Sequence, residues 1–123
     1  MTDRIIQGDA VTTGELTTYT VDALAMFGVT LRRNNCGFVR GKQYGIKGWP
    51  DLLGYDRTGR MWGVEIKNRD TKDRMREHQE KAMARMAAAG CKVAVVTCME
   101  DVDRIVRDSR SVSPQIVDIG DVK

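Results

Sequence analysis

Two short apolar runs joined by turn residues constrain this chain more than anything else in it. Asp51-Leu52-Leu53-Gly54-Tyr55 is followed by Asp56-Arg57-Thr58-Gly59-Arg60 and then by Trp62-Gly63-Val64-Glu65-Ile66-Lys67. The second run has β-branched residues, an aromatic and alternation, which is strand patterning. Pro50 leads in the first run, and proline is tolerated at the first residue of a strand. Gly59 is available for positive φ in the turn. The runs are expected to pair as an antiparallel hairpin with Asp51 near its open end.

Successive side chains on a strand point to opposite faces. Glu65 and Lys67 then share one face, while Trp62, Val64 and Ile66 point the other way into a core. Both polar residues lie toward the end of the hairpin where Asp51 sits. An ordinary surface pair is the bland reading of a Glu and a Lys so placed. Two carboxylates and an ammonium together also suit a phosphodiester substrate. Mg²⁺ binds through one or two carboxylates plus substrate phosphate. A divalent ion polarises the phosphoryl oxygen and lowers the pKa of bound water. A neighbouring lysine orients or deprotonates the attacking water, or neutralises charge building on the phosphate.

The net charge of +3 on 123 residues does not by itself demand nucleic acid, but its distribution says more. From Leu31 to Pro50 there is no Asp or Glu, while Arg32, Arg33, Arg40, Lys42 and Lys47 are all basic. A basic stripe leading into an acidic pair fits a surface that tracks phosphates toward a metal; a solvated basic edge fits it about as well. The length suits one domain, 1–123, with residues 1–11 as an arm or a short strand. A 41% hydrophobic and 30% charged composition is that of a soluble globular protein. No apolar run approaches the ~20 residues of a membrane span, and the N-terminus opens no signal peptide. Cys36, Cys91 and Cys98 form no CxxC pair, so a disulfide framework and a zinc knuckle are both unexpected, and a reducing cytoplasm is the simplest setting. His78 is the single histidine, which leaves oxygen ligands for a hard cation as the expected metal chemistry.

Along the chain, Thr12 and Glu15 have the spacing of a capping box. Leu16, Tyr19, Ala23, Leu24 and Phe27 follow at helical spacing, and Gly28 supplies the stop. Val29-Thr30-Leu31 and Cys36-Gly37-Phe38-Val39 read as the two ends of a first strand, with Asn34-Asn35 in or beside it. An asparagine pair suits a turn or bulge, or contacts to phosphate and sugar oxygens. Gly41 to Gly48 reads as a basic, mobile, glycine-rich loop without P-loop spacing. Tyr44 or Trp49 is placed to stack on a base, although an aromatic near a strand start is more often core. Asp70 or Thr71 is expected to cap a helix running to about Ala89. Its stripe is Met75, Gln79, Ala82, Met83 and Met86, with Gln79 the polar exception. Gln79 suits either water positioning at the site or a half-exposed helical position. His78 reads as a surface residue, and Arg69 as a solvated charge or a contact to DNA backbone. Lys92 to Thr97 is a buried strand, Glu100 to Arg107 a short helix, and Pro114 to Ile119 an edge strand or a dimer contact. The order gives an α/β domain with a mixed sheet, whose Lys67 strand, helix and Val93 strand form a crossover unit.

Pro50-Asp51 followed by Glu65-Ile66-Lys67 resembles the PD-(D/E)XK nuclease signature. Arg33-Asn34-Asn35-Cys36-Gly37 ahead of it, Gly48-x-Pro50-Asp51-Leu52-x-Gly54 within it and Gln79 in the next helix are similar to the VRR-NUC branch, from about Glu15 to Val102. That branch includes small stand-alone phage nucleases and the catalytic domain of the Fanconi-associated nuclease. The resemblance implies a restriction-endonuclease-like core, a mixed central β-sheet flanked by helices. It implies Mg²⁺ or Mn²⁺ held by Asp51 and Glu65 with the Ile66 carbonyl, catalytic assistance from Lys67 and Gln79, and phosphate contacts from Arg33 and Asn34. A glutamate on the first helix joins the metal site in the branch, which makes Glu15 a candidate ligand, in competition with its cap. The resemblance further implies a junction-resolvase-like homodimer acting on branched or flapped duplex DNA, in a bacterial or phage-infected cell. A non-catalytic DNA-binding or phage accessory protein on the same fold is the alternative. A sequence-reading nuclease is disfavoured, because no recognition helix or extra domain is evident.

Overall fold

Helix α1 (Thr13–Ala25) starts where the sequence marks it. Thr12 Oγ1 accepts from the Glu15 N–H at 3.0 Å, and Glu15 Oε1 accepts from the Thr12 N–H at 2.9 Å, which closes the capping box. Gly28, at φ 86°, ends the helical turn. Leu16 and Leu24 of the expected stripe are buried and Tyr19 and Ala23 pack against the core, and Thr17 and Thr20 join the buried face. The two threonines enter the interior because each hydroxyl donates to the carbonyl four residues back. Phe27 lies beyond the helix end and is exposed. These elements come from a computed structural model that describes residues 10–34, 37–39, 42–44 and 48–111, with side chains left aside at 37–39, 42–44 and 109–111.

Strand β1 (Thr30–Arg33) stops at Arg33 and does not continue to Val39. Asn34 ends it: its N–H donates to the Asp51 carbonyl at 2.7 Å and its Nδ2 to the Pro50 carbonyl at 3.3 Å. The next residues form a separate two-stranded sheet, β2 (Gly37–Val39) with β3 (Lys42–Tyr44), so part of the expected glycine-rich loop is strand. The expected hairpin is present: β4 (Leu52–Tyr55) pairs antiparallel with β5 (Met61–Ile66), Leu52 opposite Val64 and Tyr55 opposite Met61. Its turn is tied by Asp56. Oδ1 accepts from the N–H groups of Thr58 and Arg60 and from the Thr58 hydroxyl, and Oδ2 accepts from the Trp62 indole at 2.9 Å.

A single-turn 3-10 helix (Arg69–Thr71), capped by the Asn68 side chain, leads to α2 (Glu77–Ala88). Helix α2 thus begins later than expected, at an Arg76 cap, and Met75 precedes it. Ala82, Met83 and Met86 are its buried residues. Strand β6 (Lys92–Val96) pairs parallel with β5, and α3 (Met99–Ser111) follows, longer than expected, with Val102 fully buried. The main sheet runs β1-β4-β5-β6, mixed, with antiparallel pairs up to β5 and a parallel pair at β6. The region 114–119 lies outside the described residues.

Helices cover both faces of the sheet. Leu16 and Leu24 of α1 and Val102 of α3 join Leu31, Leu52, Trp62, Val64, Ile66 and Val96 in one cluster. Residues Gly63 and Glu65 belong to the other face. A Cβ on Gly63 would stand 2.7 Å from Met86 Cε and 2.9 Å from Pro50 Cγ. Glycine at this position lets α2 close down over the strand end. Every residue from Trp62 to Ile66 is therefore buried, which makes Glu65 an interior carboxylate.

Candidate active site at the open end of the hairpin

The three residues singled out by the sequence converge. Asp51 and Glu65 are cross-tied: the Asp51 N–H donates to Glu65 Oε1 at 3.1 Å, and the Ile66 N–H donates to Asp51 Oδ2 at 2.9 Å. Lys67 Nζ stands 3.3 Å from Glu65 Oε2. The hairpin register produces this. Leu52 faces Val64, so one step toward the open end brings Asp51 opposite Glu65. Glu65 is 1% and Lys67 7% exposed, whereas Asp51 is exposed. All three line a cleft of about 510 Å³ with Ile66 and Gln79.

Gln79 is tied at both ends. Its Oε1 accepts from the Arg76 N–H at 3.0 Å, and its Nε2 donates to Glu65 Oε2 at 2.9 Å. The helix cap needs an acceptor, so the amide oxygen is committed there and the nitrogen is turned to the carboxylate. One side chain both starts α2 and orients Glu65.

Burial pushes the Glu65 carboxyl above the ordinary glutamate range, and the Asp51 charge pushes it in the same direction; Lys67 works against both. Two carboxylates held together against their own repulsion, one of them interior, suit a hard divalent cation. The donor set therefore fits Mg²⁺ or Mn²⁺. The described residues contain no group of three His, Cys, Asp or Glu side chains arranged for a metal, so the protein side chains offered are this pair.

Glu15 is not brought to the cleft. Its carboxylate closes the α1 cap and lines a separate surface groove with Tyr19 and Asp22. On the side of α1 that reaches the cleft stand Thr13 and Thr17. The capping alternative for Glu15 is the one formed: Thr12 sits three residues before it, and Asp51 and Glu65 line the other groove. Among the expected substrate contacts, Arg33 and Asn34 line the cleft. Arg32, next along the strand, does not, and its guanidinium donates to the Leu31 carbonyl. Arg69 also lies outside the cleft, 3.9 Å from Glu100. Asn35 and Lys47 lie outside the described residues, and of Lys42 only the backbone, in β3, is described.

Besides Thr13 and Thr17, the lining residues Asp73, Arg76 and His78 were not expected there. Asp73 Oδ1 stands 3.7 Å from Lys67 Nζ. It follows Lys72, which takes a left-handed backbone at φ 57°. That turn returns the chain to the strand end and cannot be read from the residue types. His78 reads as a surface residue on a helical wheel, yet the N-terminus of α2 opens onto the cleft.

Among solved structures, a chain described as "VRR_NUC domain" aligns with this one at a TM-score of 0.59 and 26% identity, over 79% of this chain and 97% of that one. No protein-family profile and no curated protein matches. The fold is thus an α/β fold similar to that of a VRR_NUC domain, a mixed four-stranded sheet with flanking helices, in agreement with the resemblance carried by Asp51, Glu65 and Lys67. No helix among the described residues is long and apolar enough to cross a membrane.

Proposed function

We propose that this protein is a divalent-metal-dependent, structure-selective DNA endonuclease that hydrolyses phosphodiester bonds. The observation that carries the reading is the cross-tied Asp51–Glu65 pair with Lys67 Nζ 3.3 Å from Glu65. Asp51 and Glu65 hold Mg²⁺ or Mn²⁺, with the Ile66 carbonyl as a further oxygen. When bound, the ion neutralises charge on the phosphoryl oxygens and acidifies a water. Lys67 orients the attacking water, or takes up charge on the phosphate. Gln79 keeps Glu65 turned toward the cleft. Arg33 and Asn34 bind the phosphate backbone on the side of β1. The branched or flapped duplex is the proposed substrate, and a homodimer gives its paired strands two sites.

The test is cleavage of flap, splayed-arm, junction and linear duplex DNAs with Mg²⁺ or Mn²⁺, beside Asp51→Asn and Lys67→Ala. The parent is expected to cut branched forms preferentially and both variants to fall by about 100-fold or more. Cutting by both variants at the parental rate overturns the reading. DNA binding in EDTA with no cutting under any metal favours a non-catalytic DNA-binding protein instead.

A further inference from the structure

The proposed chemistry leaves unused an aromatic side chain at the mouth of the cleft. Trp49 lines the cleft two residues before Asp51 and is 38% exposed. It contrasts with Trp62, which is 3% exposed and hydrogen-bonded through its indole to Asp56. An aromatic near a strand start is ordinarily core, and Trp62 shows that this core accepts an indole. Trp49 stays at the rim. Gly48, at φ 85°, precedes it, and the His78 ring comes within 3.6 Å of the place a Gly48 Cβ would occupy. The imidazole and the indole both line the cleft. Arg33 and Arg76 line the same cleft, from β1 and from the start of α2.

Exposed aromatics interleaved with cationic side chains are what binds single-stranded nucleic acid: bases stack on the rings while the charges follow the phosphates. We propose that Trp49 stacks on an unpaired DNA base next to the phosphate held through the cation at Asp51 and Glu65, with Arg33 and Arg76 on adjoining phosphates. The inference rests on the nuclease reading for the phosphate position and adds a substrate requirement. A base inside a duplex has both faces covered by its neighbours and cannot offer one to Trp49 without unstacking. An unpaired base at a flap, tail or gap offers its face at no such cost. Selectivity for DNA structure then originates at the rim, in the state of the base, and needs no readout of sequence.

Binding in EDTA, where no cutting occurs, tests the stacking apart from catalysis. The probes are a single-stranded oligothymidylate, a duplex with an unpaired tail and a blunt duplex, followed by indole fluorescence and by anisotropy of a label on the DNA. The parent is expected to be quenched by the tailed and single-stranded DNAs and little by the blunt duplex. Trp49→Leu is expected to lose that quench and to bind the tailed DNA about tenfold more weakly, with blunt-duplex affinity unchanged. Trp49→Phe, which keeps a ring, is expected to retain most of the affinity. Equal weakening toward blunt and tailed DNA in Trp49→Leu, or none toward either, overturns the stacking site. If the parent also cuts DNA in a manner dependent on Asp51, that outcome leaves the nuclease reading standing. A parent that binds none of the three DNAs in EDTA overturns the stacking site, and Asp51-dependent cutting with Mg²⁺ or Mn²⁺ decides the nuclease reading separately.

Discussion

Asp51 and Glu65 hold each other through the backbone. Each carboxylate accepts an N–H from the opposite strand, at 3.1 Å into Glu65 and 2.9 Å into Asp51. The bonds fix one oxygen of each group and leave the other two for the cleft, where Gln79 and Lys67 already reach Glu65 Oε2. The pair is therefore set in place by the hairpin before any ligand arrives.

This arrangement has a pH signature. Glu65 has its carboxyl raised from about 4.5 by burial first and by Asp51 second. Its stabilising contribution is fully present below the unfolded value and is lost as pH rises through the raised folded value. Asp56 and Asp101 have the opposite sign. Burial pulls both upward, but the hydrogen bonds from Thr58 and Trp62 to Asp56, and from Thr97 and Arg104 to Asp101, outweigh it and hold both low. Their contribution is present above the unfolded value of 3.8 and is lost as pH falls through the lowered ones. Denaturant melts are expected to show Glu65→Gln gaining stability relative to the parent as pH rises above the ordinary glutamate range. Because a cation favours the ionised carboxylate, Mg²⁺ is expected to raise Tm more at about pH 7.5 than at about pH 5 in the parent, and at neither in Glu65→Gln.

Gln79 separates helix capping from carboxylate positioning. Gln79→Met removes both bonds and is expected to cost about 1–2 kcal/mol in denaturant unfolding, together with most of the cleavage rate. Gln79→Glu keeps an acceptor for the Arg76 N–H but turns a second carboxylate on Glu65. It is expected to preserve α2 by circular dichroism while lowering cleavage more than Gln79→Met does. Parental cleavage by both variants would show that Glu65 needs no such partner.

Glu15→Gln distinguishes the two roles open to this residue. Glutamine closes a capping box as glutamate does. A cap alone predicts Tm within about 2 °C of the parent and cleavage within about twofold, since a surface change of this kind stays within roughly 0.5 kcal/mol. A large loss of Mg²⁺-dependent cutting with an unchanged Tm supports Glu15 as a ligand of the proposed cation.

Asn68 carries the turn that follows Lys67. It is 1% exposed. Its side chain accepts from the Asp70 N–H and donates to the Val11 carbonyl, and its own carbonyl accepts from Thr71 and Asp73. Asn68→Ala leaves the Val11 carbonyl and the Asp70 N–H without their partner and is expected to cost about 2–3 kcal/mol in chemical unfolding. Asp73→Asn leaves the turn in place and removes one of the two carboxylates beside Lys67. It is expected to change unfolding by less than about 0.5 kcal/mol, so a lowered cleavage rate in that variant reports on Lys67 rather than on the fold.

The hairpin was legible because its determinants are local. Alternation, Pro50 and the Asp56–Arg60 turn fix the pairing, and the pairing fixes Asp51 opposite Glu65 with Lys67 on the same face. The start and stop of α1 were legible for the same reason, as was the parallel crossover to β6. Less of the site's surround could be read. The end of β1 depends on Asn34 finding the carbonyls of Pro50 and Asp51, sixteen and more residues away. The late start of α2 depends on Gln79 having both a cap and a carboxylate to serve.

From its own spacing, then, the chain determines which acids and which lysine meet, since strand periodicity and turn chemistry act between near neighbours. Only the packed molecule decides that Glu65 is interior, that the cleft lies away from the Glu15 cap, and that Trp49, Asp73, Arg76 and His78 stand around it. The burial of Glu65 follows from α2 settling over Gly63, a contact between segments far apart in sequence, and the approach of Asp73 follows the left-handed turn at Lys72.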